Sequence, residues 1–292
     1  MRAFGLRLTE ALATRGRLCV GIDPHPGLLA SWGFTDDVAG LERFAMTTVE
    51  ALAGEVAVLK PQVAFFEAHG SAGLAVLERT VAAAQQDGAL VLADAKRGDI
   101  GSTMAAYARA WLSDDSSLAA DAVTLSPYLG VGSLDPALEL AERTGRGVFV
   151  LALTSNKEGA AVQRAVDADG RPVAQAVVDE LAARNATASG LGSAGIVVGA
   201  TVGSHGLDLA GLNGPVLAPG LGAQGASAAD LARVFGAQAH LVLPTTSRDV
   251  LRHGPDAAAL RSAALRVRDE VHAVLPYTMG STRRGDGAGW AR

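Results

Sequence analysis

The sequence predicts an α/β protein folded as a (β/α)8 TIM barrel with an N-terminal capping helix. Short apolar runs alternate with longer, alanine-rich helical stretches, which is typical of repeated βα units around a parallel sheet. Eight such runs occur within roughly 275 residues, a length that fits a closed eight-stranded barrel better than an open doubly wound sheet.

The elements follow in order from the N-terminus. Phe4, Leu8 and Leu12 recur every four residues, so residues 2–15 are predicted to form an amphipathic helix that covers the bottom of the barrel. The strands are predicted at 18–22, 56–60, 90–94, 122–125, 148–153, 195–199, 215–218 and 240–243. The helices between and after them are predicted at 38–53, 71–87, 103–112, 135–143, 172–189, 227–235 and 256–274. The connection near 203–211 is glycine-rich and only weakly helical, residues 1–276 are assigned to one barrel domain, and 277–292 are predicted to be a flexible C-terminal tail.

Composition excludes several classes of protein. The chain has 292 residues, a net charge of −5 and singly scattered Lys and Arg, so neither a nucleic-acid partner nor a membrane surface is expected. No apolar run approaches the ~18 residues of a membrane span. A single cysteine, Cys19, excludes a disulfide scaffold, and the six histidines show no metal-ligand spacing. Arg2, Arg7 and Glu10 interrupt any signal peptide, so a cytoplasmic location is expected.

The segment 94–99, with the sequence DAKRGD, is the strongest candidate for catalysis. It follows an apolar strand, and residues two apart on a strand face the same side, so Asp94 and Lys96 are expected to lie together. Asp99 follows after a glycine turn. Two carboxylates around one ammonium group are expensive to desolvate, and with Lys60 at the end of the second strand a catalytic role is favoured over a structural ion pair.

Other polar residues also follow predicted strands, where a barrel of this class builds its site. These candidates are Asp23, Lys60, Ser155, Gln224 and Arg248. Phosphate commonly binds between the loops after strands seven and eight, here 219–225 and 246–248, so a phosphorylated small molecule is the expected ligand. The glycines of 219–225 also match the dinucleotide fingerprint, but no acidic residue ends the next strand to hold a ribose.

The set of motifs resembles the orotidine 5′-phosphate decarboxylase family, particularly its longer bacterial subgroup. The matching stretches, in the family's order, are 21–24, 59–62, 94–103, 125–130, 153–156, 218–225 and 247–248. The D-x-K-x-x-D motif alone marks a wider group of phosphate-binding barrels, and Lys60 together with the Gln224–Arg248 pair makes the likeness specific. Asp249 departs from the family, which usually has glycine after the arginine.

The resemblance implies cofactor-independent and metal-independent decarboxylation of orotidine 5′-monophosphate to uridine 5′-monophosphate (UMP), the last step of de novo pyrimidine biosynthesis. It implies a homodimer with shared sites, in which Lys60, Asp94 and Lys96 come from one subunit and Asp99 and Thr103 from the other. Lys96 would stabilise and protonate the C6 carbanion. The implied substrate-binding residues are Asp23, Lys60 and Thr103 for the ribose, Ser155 for the pyrimidine, and Pro219, Gln224 and Arg248 at the phosphate end.

Three alternatives stay open on the sequence. A related barrel could be an Mg²⁺-dependent sugar-phosphate decarboxylase or aldolase, although Lys60 stands where a metal ligand would be wanted. A phosphate-ligand sensor could retain the pocket without catalysis. A dehydrogenase would require NAD(P) binding.

Overall fold

Eight parallel strands close into a barrel in the order β1 to β8, with β8 paired back to β1. The computed structural model describes residues 2–222 and 225–275. The strands are β1 (Cys19–Ile22), β2 (Val58–Pro61), β3 (Leu90–Arg97), β4 (Ala122–Leu125), β5 (Gly147–Leu153), β6 (Ala194–Val198), β7 (Val216–Pro219) and β8 (Val242–Thr246). The predicted TIM barrel is confirmed, and all eight strands lie where the apolar runs placed them or within a few residues of those positions.

Helices surround the barrel and occupy the connections between strands. They are α1 (Phe4–Arg15), α2 (Pro26–Ser31), α3 (Val38–Leu52), α4 (Val63–Glu67), α5 (Gly70–Gln86), α6 (Gly101–Leu112), α7 (Asp135–Thr144), α8 (Ala160–Gln163), α9 (Val173–Asn185), α10 (Ala228–Phe235), α11 (Arg248–Leu251) and α12 (Ala257–Val274). Among the described helices, none has both the length and the apolar character that a membrane span requires.

The N-terminal helix α1 closes the bottom of the barrel, as its four-residue periodicity predicts. Phe4, Leu8 and Leu12 are buried and pack with residues inside the barrel, among them Cys19 and Phe149. The Phe4 and Phe149 rings meet edge to face, with centroids 6.0 Å apart. A second, larger apolar cluster fills the layer between the strands and the outer helices. Because apolar side chains fill the lower end, a polar site is left to the opposite end, where the strands finish.

Several boundaries differ from the sequence prediction. The eighth strand starts at Val242 rather than 240, because a 3-10 helix covers Gly236–Leu241. The third strand continues to Arg97 instead of ending at 94. Helix α9 ends at Asn185 rather than 189, where the Asn185 side chain donates to the Ala194 and Leu212 carbonyls. The glycine-rich connection 203–211 contains no helix. The short helices α2, α4, α8 and α11 were not predicted, and the predicted tail 277–292 lies outside the described residues.

Candidate active site

A cavity of about 280 Å³ opens at the carboxyl ends of the strands. This is the end of a (β/α)8 barrel where catalytic groups gather, because the strand ends and the following loops converge there. The predicted site residues that line the cavity are Asp23, Lys60, Asp94, Lys96, Ser155, Pro219 and Arg248. The structure therefore brings together residues that lie as much as 225 positions apart in the sequence.

Asp94 is the centre of a hydrogen-bonded network at the base of this cavity. Its side chain is buried, and its two oxygens accept from four side chains. Asp94 Oδ2 accepts from Lys60 Nζ at 2.9 Å and from Gln62 Nε2 at 3.1 Å. Asp94 Oδ1 accepts from Lys96 Nζ at 2.6 Å and from Thr124 Oγ1 at 2.9 Å. These bonds fix the carboxylate and both ammonium groups in one arrangement.

Asp94 and Lys60 are both charged at neutral pH. Burial alone would raise the pKa of Asp94, but the ammonium groups of Lys60 and Lys96 outweigh it and hold that pKa well below its usual range. Burial would likewise favour a neutral Lys60 amine, yet the carboxylates of Asp94 and Asp23 raise the pKa of Lys60 above its ordinary value. Beneath them, burial raises the pKa of the Cys19 thiol to about 12, so this cysteine stays a neutral thiol.

Lys96 reaches Asp94 through an unusual backbone conformation rather than through simple strand alternation. Its φ angle is +49°, in the left-handed region that non-glycine residues rarely adopt. The pairing register of β3 and β4 also shifts between Ala93 and Arg97. Asp94 and Lys96 therefore lie close together, as expected. The positive φ of Lys96 and the shifted β3–β4 register bring them together, rather than regular strand alternation. The Lys96 side chain is 45% exposed and faces the cavity.

Asp99 and Thr103 lie away from the cavity of their own chain. Asp99 Oδ1 accepts from the backbone N–H of Ile100 at 2.8 Å, and Thr103 is exposed in the first turn of α6. Neither is among the cavity-lining residues in the part of the chain that the structure describes. One chain alone thus gathers Lys60, Asp94 and Lys96 without the second carboxylate of the motif.

The loops after β7 and β8 form the opposite wall of the cavity. Pro219 and Arg248 line it, and Arg248 makes no ion pair with any described residue. The predicted Gln224 lies outside the described residues. Asp249, the unusual neighbour of Arg248, packs against Gly222, where a β-carbon would overlap its Oδ2. Asp249 also pairs with Arg252 at 3.5 Å, which partly balances the negative charge beside the predicted phosphate position.

The loop that carries Ser155 is held by Gln163. Gln163 Oε1 accepts from the Thr154 backbone N–H at 2.9 Å, and Gln163 Nε2 donates to Thr154 Oγ1 at 2.8 Å. Both bonds lie directly before Ser155, which lines the cavity. Gln163 therefore fixes the turn after β5.

Several polar residues of this site were not named as individual candidates from the sequence, and four of them stand out. Gln62 and Thr124 bond to Asp94, while the buried hydroxyls of Thr246 and Ser247 have no partner among the described residues. All four line the cavity. Thr124 and Thr246 carried a usable signal, because each is a polar residue in or at the end of an apolar strand. Also in the described ranges, no cluster of three or more His, Cys, Asp or Glu side chains is placed to hold a metal ion.

Fold and cavity together define a (β/α)8 barrel enzyme with an acid–amine network at the strand ends. The chain belongs to the orotidine 5′-phosphate decarboxylase / HUMPS family, whose model matches residues 16–263. It is 64% identical over 275 residues to the orotidine 5′-phosphate decarboxylase of Salinispora arenicola, which covers 94% of this chain and 99% of the relative. The corresponding protein of Streptomyces coelicolor is 61% identical over 275 residues, with the same coverage of both chains.

Solved structures agree with this assignment. A crystal structure from Streptomyces avermitilis superposes with a TM-score of 0.92 at 62% identity, covering 94% of this chain and 96% of that chain. The OMP decarboxylase of Leishmania donovani superposes with a TM-score of 0.73 at 31% identity, covering 93% of this chain and 98% of that chain. The likeness thus extends over nearly the whole barrel.

Proposed function

We propose that the chain converts orotidine 5′-monophosphate to UMP with the Lys60–Asp94–Lys96 network as its catalytic centre and without a cofactor. The reaction is the last step of de novo pyrimidine biosynthesis. The observation that supports this mechanism is the buried Asp94 carboxylate, which fixes two ammonium groups at the base of a cavity. The high identity to decarboxylases over nearly the full chain supports the same substrate.

The substrate would span the cavity from Arg248 to the Asp94 network. The guanidinium of Arg248 suits a phosphate because it offers parallel N–H donors and a permanent charge. Asp23 and Lys60, at the ends of β1 and β2, would bind ribose hydroxyls, and Ser155 would bind the pyrimidine. Pro219 and Gln224 complete the proposed phosphate end. This orientation sets the C6 carboxylate of the pyrimidine beside Lys96.

The chemistry requires electrostatic stabilisation. When the C6–carboxylate bond breaks, CO₂ leaves and the electron pair stays on C6 in the plane of the ring, where the π system cannot delocalise it. The Lys96 ammonium would stabilise this pair and then transfer an Nζ proton to C6. Because Lys96 is 45% exposed, the resulting amine can regain a proton from water after the product leaves. Lys60 and Asp94 would hold Lys96 in place throughout.

The proposal includes a homodimer in which Asp99 and Thr103 of one subunit complete the site of the other. Their position outside the cavity of their own chain supports this part. The adjacent surface also exposes large apolar side chains, Ile100 at 62%, Tyr128 at 80% and Leu129 at 53%. Exposed apolar side chains that follow β3 and β4, at the barrel end that holds the cavity, suit an interface. A cytoplasmic location, which the single buried Cys19 supports, is the remaining part of the proposal.

The direct test follows the absorbance of orotidine 5′-monophosphate with purified protein in the presence of EDTA. We expect conversion to UMP at a rate that EDTA does not change. Loss of activity on chelation would instead favour the Mg²⁺-dependent sugar-phosphate chemistry of related barrels. A protein that binds the nucleotide without converting it would overturn the proposed reaction in favour of a sensor.

A further inference from the structure

We infer that Thr124 is a positioning residue for the decarboxylation, an inference that rests on the role proposed for Lys96. Thr124 lies on β4, next to β3, and is 1% exposed. Its hydroxyl accepts from the Lys96 backbone N–H at 2.9 Å and donates to Asp94 Oδ1 at 2.9 Å. One side chain thus contacts both the backbone of the proposed proton donor and the carboxylate that holds its amine.

The direction of each hydrogen bond is fixed by chemistry. A backbone N–H can only donate, so the Thr124 oxygen accepts from Lys96. The ionised Asp94 carboxylate can only accept, so the Thr124 hydroxyl proton points to Asp94. Lys96 Nζ donates to the same Asp94 oxygen at 2.6 Å, which closes a ring through the three residues. Every donor and acceptor in this ring therefore has a defined partner.

The ring explains how Lys96 keeps its left-handed backbone. At a φ of +49° a non-glycine residue is sterically disfavoured and persists only where its surroundings hold it. The β3–β4 ladder shifts between Ala93 and Arg97, so the regular strand pairing is interrupted around Lys96. The Thr124 hydroxyl gives the Lys96 N–H a partner at this interruption, and a valine in its place would give none.

Thr124 would affect catalysis by fixing the position of Lys96 Nζ. Proton transfer to C6 depends on the placement of Nζ, and a displacement of about 1 Å in a reacting group can lower a rate by about 10²-fold. Thr124 acts on Nζ through both ends of Lys96, the backbone and the ammonium group. It does not need to contact the phosphate or the ribose for this role, so its loss is expected to change turnover rather than affinity.

The test compares Thr124→Val, which keeps the shape and removes the hydroxyl, with Thr124→Ser, which keeps the hydroxyl. We expect Thr124→Val to lower kcat about 10- to 100-fold while KM and the Kd for UMP stay within about threefold. Thr124→Ser should keep kcat within about threefold of wild type. Thr80→Val is the matched control, because Thr80 is also 1% exposed but its hydroxyl donates to the Val76 carbonyl within α5, its one hydrogen-bond partner in the described part of the chain.

Each outcome decides the inference. A Thr124→Val enzyme with wild-type kcat overturns it, as does a Thr124→Ser enzyme that is equally slow. If Thr80→Val shows the same loss of kcat, the loss in Thr124→Val reflects a general effect of removing a buried hydroxyl on stability, and the inference is overturned. If Thr124→Val does not fold, Thr124→Ala compared with Thr124→Ser isolates the same hydroxyl.

A crystal structure of Thr124→Val gives a readout that does not depend on turnover. We expect the Lys96 φ to leave the left-handed region or Lys96 Nζ to move away from Asp94 Oδ1. An unchanged Lys96 overturns the inference even if wild-type protein were inactive on orotidine 5′-monophosphate. Wild-type inactivity alone would contradict the proposed function instead, so the two failures are distinguishable.

Discussion

Asp94 determines the electrostatics of the site because it is shared by two ammonium groups from neighbouring strands. Lys60 and Lys96 would repel each other without it, and each would be costly to bury alone. Pairing with the Asp94 carboxylate offsets the free-energy cost of burying the ammonium group of Lys60, a residue that is 5% exposed. Lys96 pairs with the same carboxylate but remains partly accessible from the cavity. In the proposed mechanism the two lysines consequently have different roles, Lys60 supporting the network and Lys96 contacting the substrate.

Replacing Lys96 with alanine should separate chemistry from binding. Loss of both the ammonium charge and the transferable proton is expected to lower kcat by at least about 10³-fold. The Kd for UMP, measured by calorimetry, should change by less than about tenfold, because the phosphate end of the cavity is untouched.

Arg248→Ala is the complementary control for that prediction. It removes the proposed phosphate contact and should raise the Kd for UMP by about 10- to 100-fold, as expected for one charge-assisted interaction. The same pair of measurements checks both variants. Equal and mild losses of kcat and affinity in the two enzymes would contradict the roles assigned to these residues.

The Asp94 network should also leave a signature in the pH dependence of stability. An unfolded aspartate has a pKa of about 3.9, and that of folded Asp94 is lower, so its contribution is complete above about pH 4 and is lost as pH falls through the folded-state value. Because folding raises the pKa of Lys60, its charged form stabilises the fold at every pH below about 10.4. This stabilisation is lost only as pH rises through the folded-state pKa.

Urea unfolding between pH 2.5 and 7 measures how the free energy of unfolding changes over the acid part of this pH range. Wild-type protein should lose free energy of unfolding more steeply below pH 4 than Asp94→Asn, which lacks the titrating group. Asp94→Asn should also be less stable at pH 7 by about 3–5 kcal/mol, because a buried ammonium group loses its partner. Parallel pH profiles for the two proteins would argue against the low pKa of Asp94.

At the scale of elements, the apolar runs predicted the strands well because each run is buried on both faces. The eighth strand shows the limit of this method. The stretch 240–243 is apolar enough to suggest a strand, yet a 3-10 helix over Gly236–Leu241 delays β8 to Val242–Thr246. Apolar content reports burial but not where the backbone changes from helical to extended, so such boundaries need the surrounding structure.

The sequence could predict a site residue where its position after a predicted strand was enough to place its side chain at the cavity. Asp23, Lys60, Asp94 and Arg248 follow or end predicted strands and reach the cavity. The partners of Asp94 were not predictable in the same way. Whether Thr124 faces Asp94 depends on the register of β4 against β3 and on the positive φ of Lys96, and neither quantity is encoded in residue spacing.

The capping helix α1 gives a prediction about stability alone. Phe4 is 2% exposed and packs against Phe149 inside the barrel, at the end opposite the cavity. Phe4→Ala should lower the free energy of unfolding by about 3–5 kcal/mol. The kcat and KM of the folded variant should equal those of wild type.

Leu6→Ala serves as the control on the same helix. Leu6 is 38% exposed, and its replacement is expected to change stability by less than about 1 kcal/mol. Urea unfolding and steady-state kinetics measure both variants. A large fall in kcat for folded Phe4→Ala would show that the two ends of the barrel are coupled.

For the whole molecule, the proposed shared site would make assembly part of the mechanism. Asp99 and Thr103 lie beside the exposed Ile100, outside the cavity that holds Lys96. The proposed dimer would place them at the cavity of the second chain and cover that apolar side chain. Activity should then depend on association as well as on folding.

Mixed dimers test this arrangement directly. Lys96→Ala and Asp99→Ala are each expected to be inactive, but a mixed dimer would contain one complete site. Random exchange of subunits puts about half of the chains in mixed dimers. Each mixed dimer has one of its two sites intact, so about a quarter of wild-type activity should return. Lys96→Ala mixed with Asp94→Ala is the matched control, since both residues come from one chain and no complete site can form. Recovery in neither mixture would contradict shared sites.

The left-handed backbone of Lys96 has a consequence for how this protein would evolve under heat. Glycine adopts such a conformation without the steric penalty that lysine bears, about 1–2 kcal/mol for a side chain with a β-carbon. Glycine at position 96 would relieve this penalty, but it would also remove the ammonium group that pairs with the buried Asp94 carboxylate. The proposed reaction requires the same amine, so laboratory evolution that selects for heat tolerance and for pyrimidine synthesis together would have to retain the backbone strain at this position.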